Sequence, residues 1–174
     1  EISRIGARYR TTADGLIYVQ RYPEVIFILA EAYERGLATG DAQTAYEAGI
    51  TASLEEHGVD AAGIAAYLAE PDVAWDDATG SLGYSNLEKI YYQKWISLFK
   101  QGNEAWAETR RTDIPVLPQA PGSPYITNGF DRPPFRWPYP VEEYTYNTTV
   151  VEANDDGIVD NFWGPQMWWD TRSL

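Results

Sequence analysis

The sequence has no cysteine among its 174 residues. That excludes disulfides, thiolate metal sites and a cysteine nucleophile, while leaving the redox compartment open. It has one histidine, His57, and one methionine, Met167. His57 stands just before Gly58, where a helix end accounts for it by dipole complementarity, and a lone imidazole with no partner in sequence is poor ground for general-base chemistry. Basic residues are few, 13 Lys and Arg against 26 Asp and Glu, for a net charge of −13. Phosphate binding needs concentrated Lys and Arg, so the balance argues against nucleic acid and against docking on anionic lipid. No apolar run approaches the roughly 20 residues that span a bilayer, and neither a signal peptide nor a lipid-attachment cysteine is seen.

What is abundant is aromatic: seven Trp and thirteen Tyr. Sugars bind by laying C–H faces on rings and hydroxyls on amides and carboxylates, and both are plentiful here. The competing reading is that most of the rings are core. The length suffices for one domain with a real core.

The most informative run is 85–115. Leu87, Ile90, Tyr91, Lys94, Trp95 and Leu98 recur at helical spacing. Ser85 with Glu88 forms a capping box, Lys100 falls in the last turn, and Gly102 is expected to close the helix in a left-handed conformation. A shorter helix should follow from an Asn103 cap, with Ala105, Trp106 and Thr109 inward. Trp95 and Trp106 are read as core, and Pro115 ends the helical part.

Upstream, residues 1–22 read as an irregular lead-in, extended near Ile17 to Val19. Pro23 suits a first helical turn, and Val25 to Tyr33 is apolar nearly all round, predicting a deeply buried helix closed by Gly36. Asp41 caps a second helix carrying Ala42, Ala45, Tyr46, Gly49, Ile50 and Leu54, whose small residues permit close approach. The pair resembles one tetratricopeptide-type hairpin, and no second copy follows. Ala61 to Leu68 is a short helix, and 71–85 a loop. Nine of the eleven prolines lie between Pro115 and Pro165, so 113–174 should be irregular but, being ring-rich, packed on the helices, with a short helix from Val141 to about Tyr146.

Gln93-Lys94-Trp95, Leu98-Phe99, Gly102, Glu104-Ala105-Trp106, Arg110-Arg111-Thr112 and Pro115 together resemble the C-terminal signature of the SusD/RagB family. Tyr22-Pro23-Glu24-Val25, Phe27, Ala30-Glu31-Ala32, Arg136, Tyr139-Pro140, Glu143 and Trp168-Trp169-Asp170 extend the likeness over nearly the whole chain. The resemblance implies a mainly α fold with tetratricopeptide-like helix pairs and a loop-rich C-terminal segment, 1–174 being the last third of one such domain (1–112 helical, 113–174 irregular). The chain opens at Glu1, and its only methionine is Met167. It is therefore expected to be a piece of a longer product whose signal peptide and lipidated cysteine lie outside it. Implied too are a cell-surface place on an outer membrane, oligosaccharide or polysaccharide as ligand, a SusC-like TonB-dependent transporter as partner, and no catalysis. In the family the glycan contacts lie largely upstream of this region, so none is carried over.

From the residues alone, Trp75 with Asp77, and Tyr125 with Asn128, combine a loop ring with polar groups and are the glycan-contact candidates. Their alternative is to cover the helices. Arg110 and Arg111 complement a helix C-terminus, and at least one is expected to fork onto a carboxylate such as Glu104 or Glu143. The run 152–160 resembles the first nine positions of a calcium loop, with Asn154, Asp156 and Asp160 as ligands, but the twelfth position is Trp163 instead of Glu. An Asx-rich turn is the alternative, and no other cofactor is expected. Two rival functions stay open. A helical glycoside hydrolase would need paired carboxylates, for which Asp76, Asp77, Glu142 and Glu143 are the candidates. A tetratricopeptide-like adaptor would bind protein through the hairpin.

Overall fold

The computed structural model describes residues 6–10, 17–116 and 139–154. Regular structure among these is helical throughout: α1 (Ala7–Arg10), α2 (Tyr22–Glu34), α3 (Ala42–Glu56), α4 (Ala61–Leu68), α5 (Asn86–Ser97), α6 (Gly102–Thr112), α7 (Val141–Tyr146) and α8 (Thr148–Glu152). The lead-in thus holds a helical turn, α1, where an irregular stretch was expected.

Caps set the boundaries. Asp41 accepts from the Thr44 backbone N–H at 2.6 Å and Asp60 from that of Gly63 at 2.8 Å, starting α3 and α4. Ser85 and Glu88 form the reciprocal capping box of α5, each satisfying a backbone donor that the first turn leaves unpaired. The end of α5 differs from expectation. Lys100, at φ 73°, takes the left-handed conformation, and Gly102 opens α6 with Gln101, not Asn103, as its cap residue.

The core lies where α2, α3 and α5 meet: Phe27, Ala30, Tyr46, Ile50 and Ile90, joined by Val73 of the 71–85 loop. Gly49 makes the α2–α3 crossing possible, since a Cβ there would stand 2.9 Å from the Phe27 ring. Burial pushes the Tyr46 phenol well above its ordinary pKa, so it stays protonated and donates to the Val73 carbonyl at 2.8 Å.

The deeply buried α2 of the sequence reading is only half so. Phe27 and Ala30 are sealed, whereas Val25, Ile28 and Leu29 are 38%, 44% and 37% exposed. α3 and α5 cover one side of α2, and a helix apolar all round cannot indicate which of its sides has a neighbour.

Candidate functional site

Three local structures gather the polar and aromatic side chains. The first is the 71–85 loop. Lys89, 2% exposed, sends its ammonium from α5 into this loop, donating to the carbonyls of Ala74 at 2.7 Å and Asp77 at 2.6 Å. A buried cation is tolerable only when so satisfied. Asp72 braces the other side, accepting from the Ser81 hydroxyl and the Leu82 N–H, both at 2.8 Å.

Trp75 and Asp77 fall in this loop. The Trp75 ring leans on Tyr46, centroids 5.4 Å apart, and packs against the core. Asp77 accepts from the Thr79 N–H and hydroxyl at 2.8 and 2.6 Å, and these bonds hold its carboxyl below the usual carboxylate range. Asp76, at φ 58°, accepts from the Asn86 amide at 2.6 Å. Tyr125 and Asn128 lie outside the described residues.

The second structure is an ion-pair cluster built from the signature residues. Lys94 and Glu108, whose side chains are 9% and 6% exposed, pair at 2.9 Å between α5 and α6. Arg111 forks onto both oxygens of Glu31 at 2.7 Å each and reaches Glu108 at 2.6 Å. Its guanidinium also lies over the Tyr91 ring at 5.1 Å, and Arg35 closes on Glu31 at 3.1 Å. Burial alone would raise the Glu31 pKa, but hydrogen bonds and charge from Arg111, with help from Arg35 and Lys94, outweigh it and hold the carboxyl below its ordinary value. Arg111, which burial would lower, is raised by Glu31 and Glu108. The expected fork therefore exists, but on Glu31 and Glu108 in place of Glu104 or Glu143.

The cluster also turns α6. Glu108 and Thr109 face inward, which leaves Trp106 40% exposed, with Arg110 5.9 Å from its ring. Reading Trp106 as core is thereby corrected: burying Glu108 against Lys94 fixes the rotation of the helix, and the indole goes to the rim. Gln93 accepts from the Tyr67 hydroxyl at 3.1 Å. Pro115 comes after the end of α6, joined to Ile114 by a cis peptide.

The third structure is an open apolar cleft of about 580 Å³ between the C-terminal ends of α3 and α5, walled by Tyr9, Leu54, Trp95, Leu98, Phe99 and Ala105. Trp95 is half-buried here and stacks on Tyr92, 6.3 Å between centroids. His57 caps α3, and its Nδ1 is hydrogen-bonded to the Tyr9 hydroxyl.

For the calcium reading, Asn154 is exposed, and its amide donates to the Val150 carbonyl at 2.7 Å. Asp156 and Asp160 lie outside the described residues, and among those described no cluster of three metal-ligating side chains occurs. No described helix is long and apolar enough to cross a membrane.

Sequence reading missed the buried polar anchors Arg21, Glu31, Lys89 and Glu108. Arg21, 4% exposed, holds Glu56 at 2.7 Å and Gln101 at 3.0 Å. A signal existed for Glu31: it stands four residues after Phe27 on the same face of α2, so it had to be buried and paired.

Fold and cluster define the class of molecule: a helical, hairpin-based scaffold whose motif charges pin one helix to another. A family model described as SusD-like, "Starch-binding associating with outer membrane", matches residues 2–140, and the chain belongs to this SusD-like family. Among solved structures it is similar to a SusD homologue from Bacteroides fragilis (33% identity, TM-score 0.68, covering 99% of this chain and 39% of that one). It is likewise similar to a SusD homologue from Parabacteroides distasonis (30%, 0.66, 93% and 36%). A chitin-binding protein also matches (28%, 0.59, 87% and 33%). The chain thus spans about a third of the length of these relatives. No match is found among curated proteins.

Proposed function

We propose that the chain serves in a glycan-binding component of a nutrient-uptake system at the outer membrane, facing the cell surface and handing oligosaccharide to a SusC-like TonB-dependent transporter. The observation that carries this reading is the family match over residues 2–140. The binding of chitin by one relative is in keeping with it. A lipid anchor outside this chain would supply the attachment to the membrane.

Binding without cleavage is the activity proposed. The carboxylates with the strongest partners are committed to structure: Glu31 and Glu108 to cations, and Asp76 to the Asn86 amide. A hydrolase needs two carboxyl groups facing each other across the scissile bond, so these engagements favour a scaffold. Within it, α6 clamped on α2 and α5 gives a rigid base, and rings on loops offer stacking faces to sugar. Trp75, Asp77, Tyr125 and Asn128 are the proposed contacts.

Native electrophoresis through gels containing starch or soluble chitin-derived polymer tests the reading. Retarded migration, lessened by Tyr125→Ala or Asp77→Ala, is expected. Unchanged mobility in a broad panel of polysaccharides would count against it.

A further inference from the structure

A lysine ammonium fills the middle of the 71–85 loop as a metal ion fills a binding loop. Lys89 is 2% exposed, and an ammonium has three protons to give. They go to three backbone carbonyls: Pro71 at 3.4 Å, Ala74 at 2.7 Å and Asp77 at 2.6 Å. None of these acceptors is a carboxylate. Backbone carbonyl oxygens gathered on a buried charge are the ligands of a hard cation, supplied here on a side-chain tether from α5. We propose that Lys89 is a positioning residue: its ammonium is the ion about which the loop folds, and it thereby sets the places of Trp75 and Asp77. The use of those two side chains rests on the glycan reading, whereas the hold of Lys89 on the loop does not.

Each limb of the loop is held from α5. Ala74 and Asp77 bracket Trp75 and Asp76, so one ammonium fixes both ends of that run. Asn86, three positions before Lys89 and so on the same side of α5, takes its middle. The Asn86 amide donates to the Asp76 carboxylate at 2.6 Å and accepts the Asp76 backbone N–H at 3.1 Å. Farther on, Gly80 closes against the first limb, where a Cβ would stand 2.9 Å from the Pro71 carbonyl oxygen. With the backbone held on both sides, the Trp75 ring is delivered to Tyr46 and the Asp77 carboxyl to Thr79. Removing the ammonium strands the carbonyls it serves, and a buried acceptor left without its donor costs more than the bond itself contributes.

Hydrogen exchange of the full chain tests the hold. Lys89→Ala should speed exchange in 71–85 by roughly tenfold or more, the scale of a lost buried hydrogen-bond partner, while α2 and α3 keep their protection. That substitution removes the equivalent of propylammonium. Added propylammonium should therefore restore protection saturably, whereas propanol, which is uncharged, and tetramethylammonium, which has no N–H to donate, should not. Lys89→Met, which fills the apolar space without donors, should loosen the loop as Lys89→Ala does. In the wild-type chain the Lys89 ammonium should give a slowly exchanging signal by nuclear magnetic resonance, a readout that needs no variant to fold. Unchanged exchange in both variants, rescue by propanol or tetramethylammonium, or a wild-type ammonium exchanging as fast as an exposed lysine's would overturn the proposal. Gel retardation then separates it from the glycan reading. A polysaccharide that retards the wild type should lose its effect on Lys89→Ala and regain it with propylammonium. Undiminished retardation despite a loosened loop would overturn the positioning role. A wild-type chain retarded by no polysaccharide would contradict the glycan reading, and the exchange result would still decide the hold of Lys89.

Discussion

Glu108 serves two cations at once, accepting from Lys94 at 2.9 Å and from Arg111 at 2.6 Å. Replacing it by Ala strands a buried ammonium, and the expected loss is about 3–5 kcal/mol in urea unfolding. Exchanging the Lys94–Glu108 pair for Met and Leu together should cost much less, because no charge is then left buried unpaired. Glu31 adds a pH dependence of known sign. Its folded pKa lies below its ordinary value, so its contribution is complete above the ordinary carboxylate range and is lost as pH falls through the folded value. Urea midpoints should therefore drop on acidification below about pH 4.5, and Glu31→Gln should flatten that slope. Arg111 shows how far such detail could be read in sequence. Its fork onto a carboxylate is expected from guanidinium chemistry, but its partner lies 80 positions away, and only the folded path of the chain brings them together.

Among the elements, those with local punctuation were legible. α3 begins at its Asp41 cap and α5 at its capping box, because a cap is a contact within one turn. Features imposed by neighbouring helices were not legible. Gly102 suggested a helix end, yet Lys100 took the left-handed position, since the turn between α5 and α6 is set by where α6 must dock. The exposed flank of α2 and the rim position of Trp106 have the same origin: burial belongs to the partner as much as to the helix. Two substitutions test the elements. Ser85→Ala removes the α5 cap at an expected cost of about 1 kcal/mol, read from thermal or urea unfolding. Gly49→Leu forces side-chain atoms into the Phe27 ring at the α2–α3 crossing, with an expected overpacking cost of about 1–3 kcal/mol or more.

For the whole molecule, fold class and family were legible because the ordered run from Gln93 to Pro115 is built of uncommon residues. The structure explains that run: Gln93 and Lys94 are buried, Lys94 and Arg111 tie α5, α6 and α2 together, and Trp95 lines the cleft. The glycan candidates were less legible, since a loop ring such as Trp75 has one signature in sequence whether it covers a core or faces a sugar. The most direct test of binding without cleavage tracks one labelled oligosaccharide through both outcomes. End-labelled starch- and chitin-derived oligosaccharides are incubated with the protein, recovered with it by sedimentation, and sized. The expected result is label carried down with the protein and returned at its original length. Label left in the supernatant for every sugar, or recovered as shorter fragments, would contradict it.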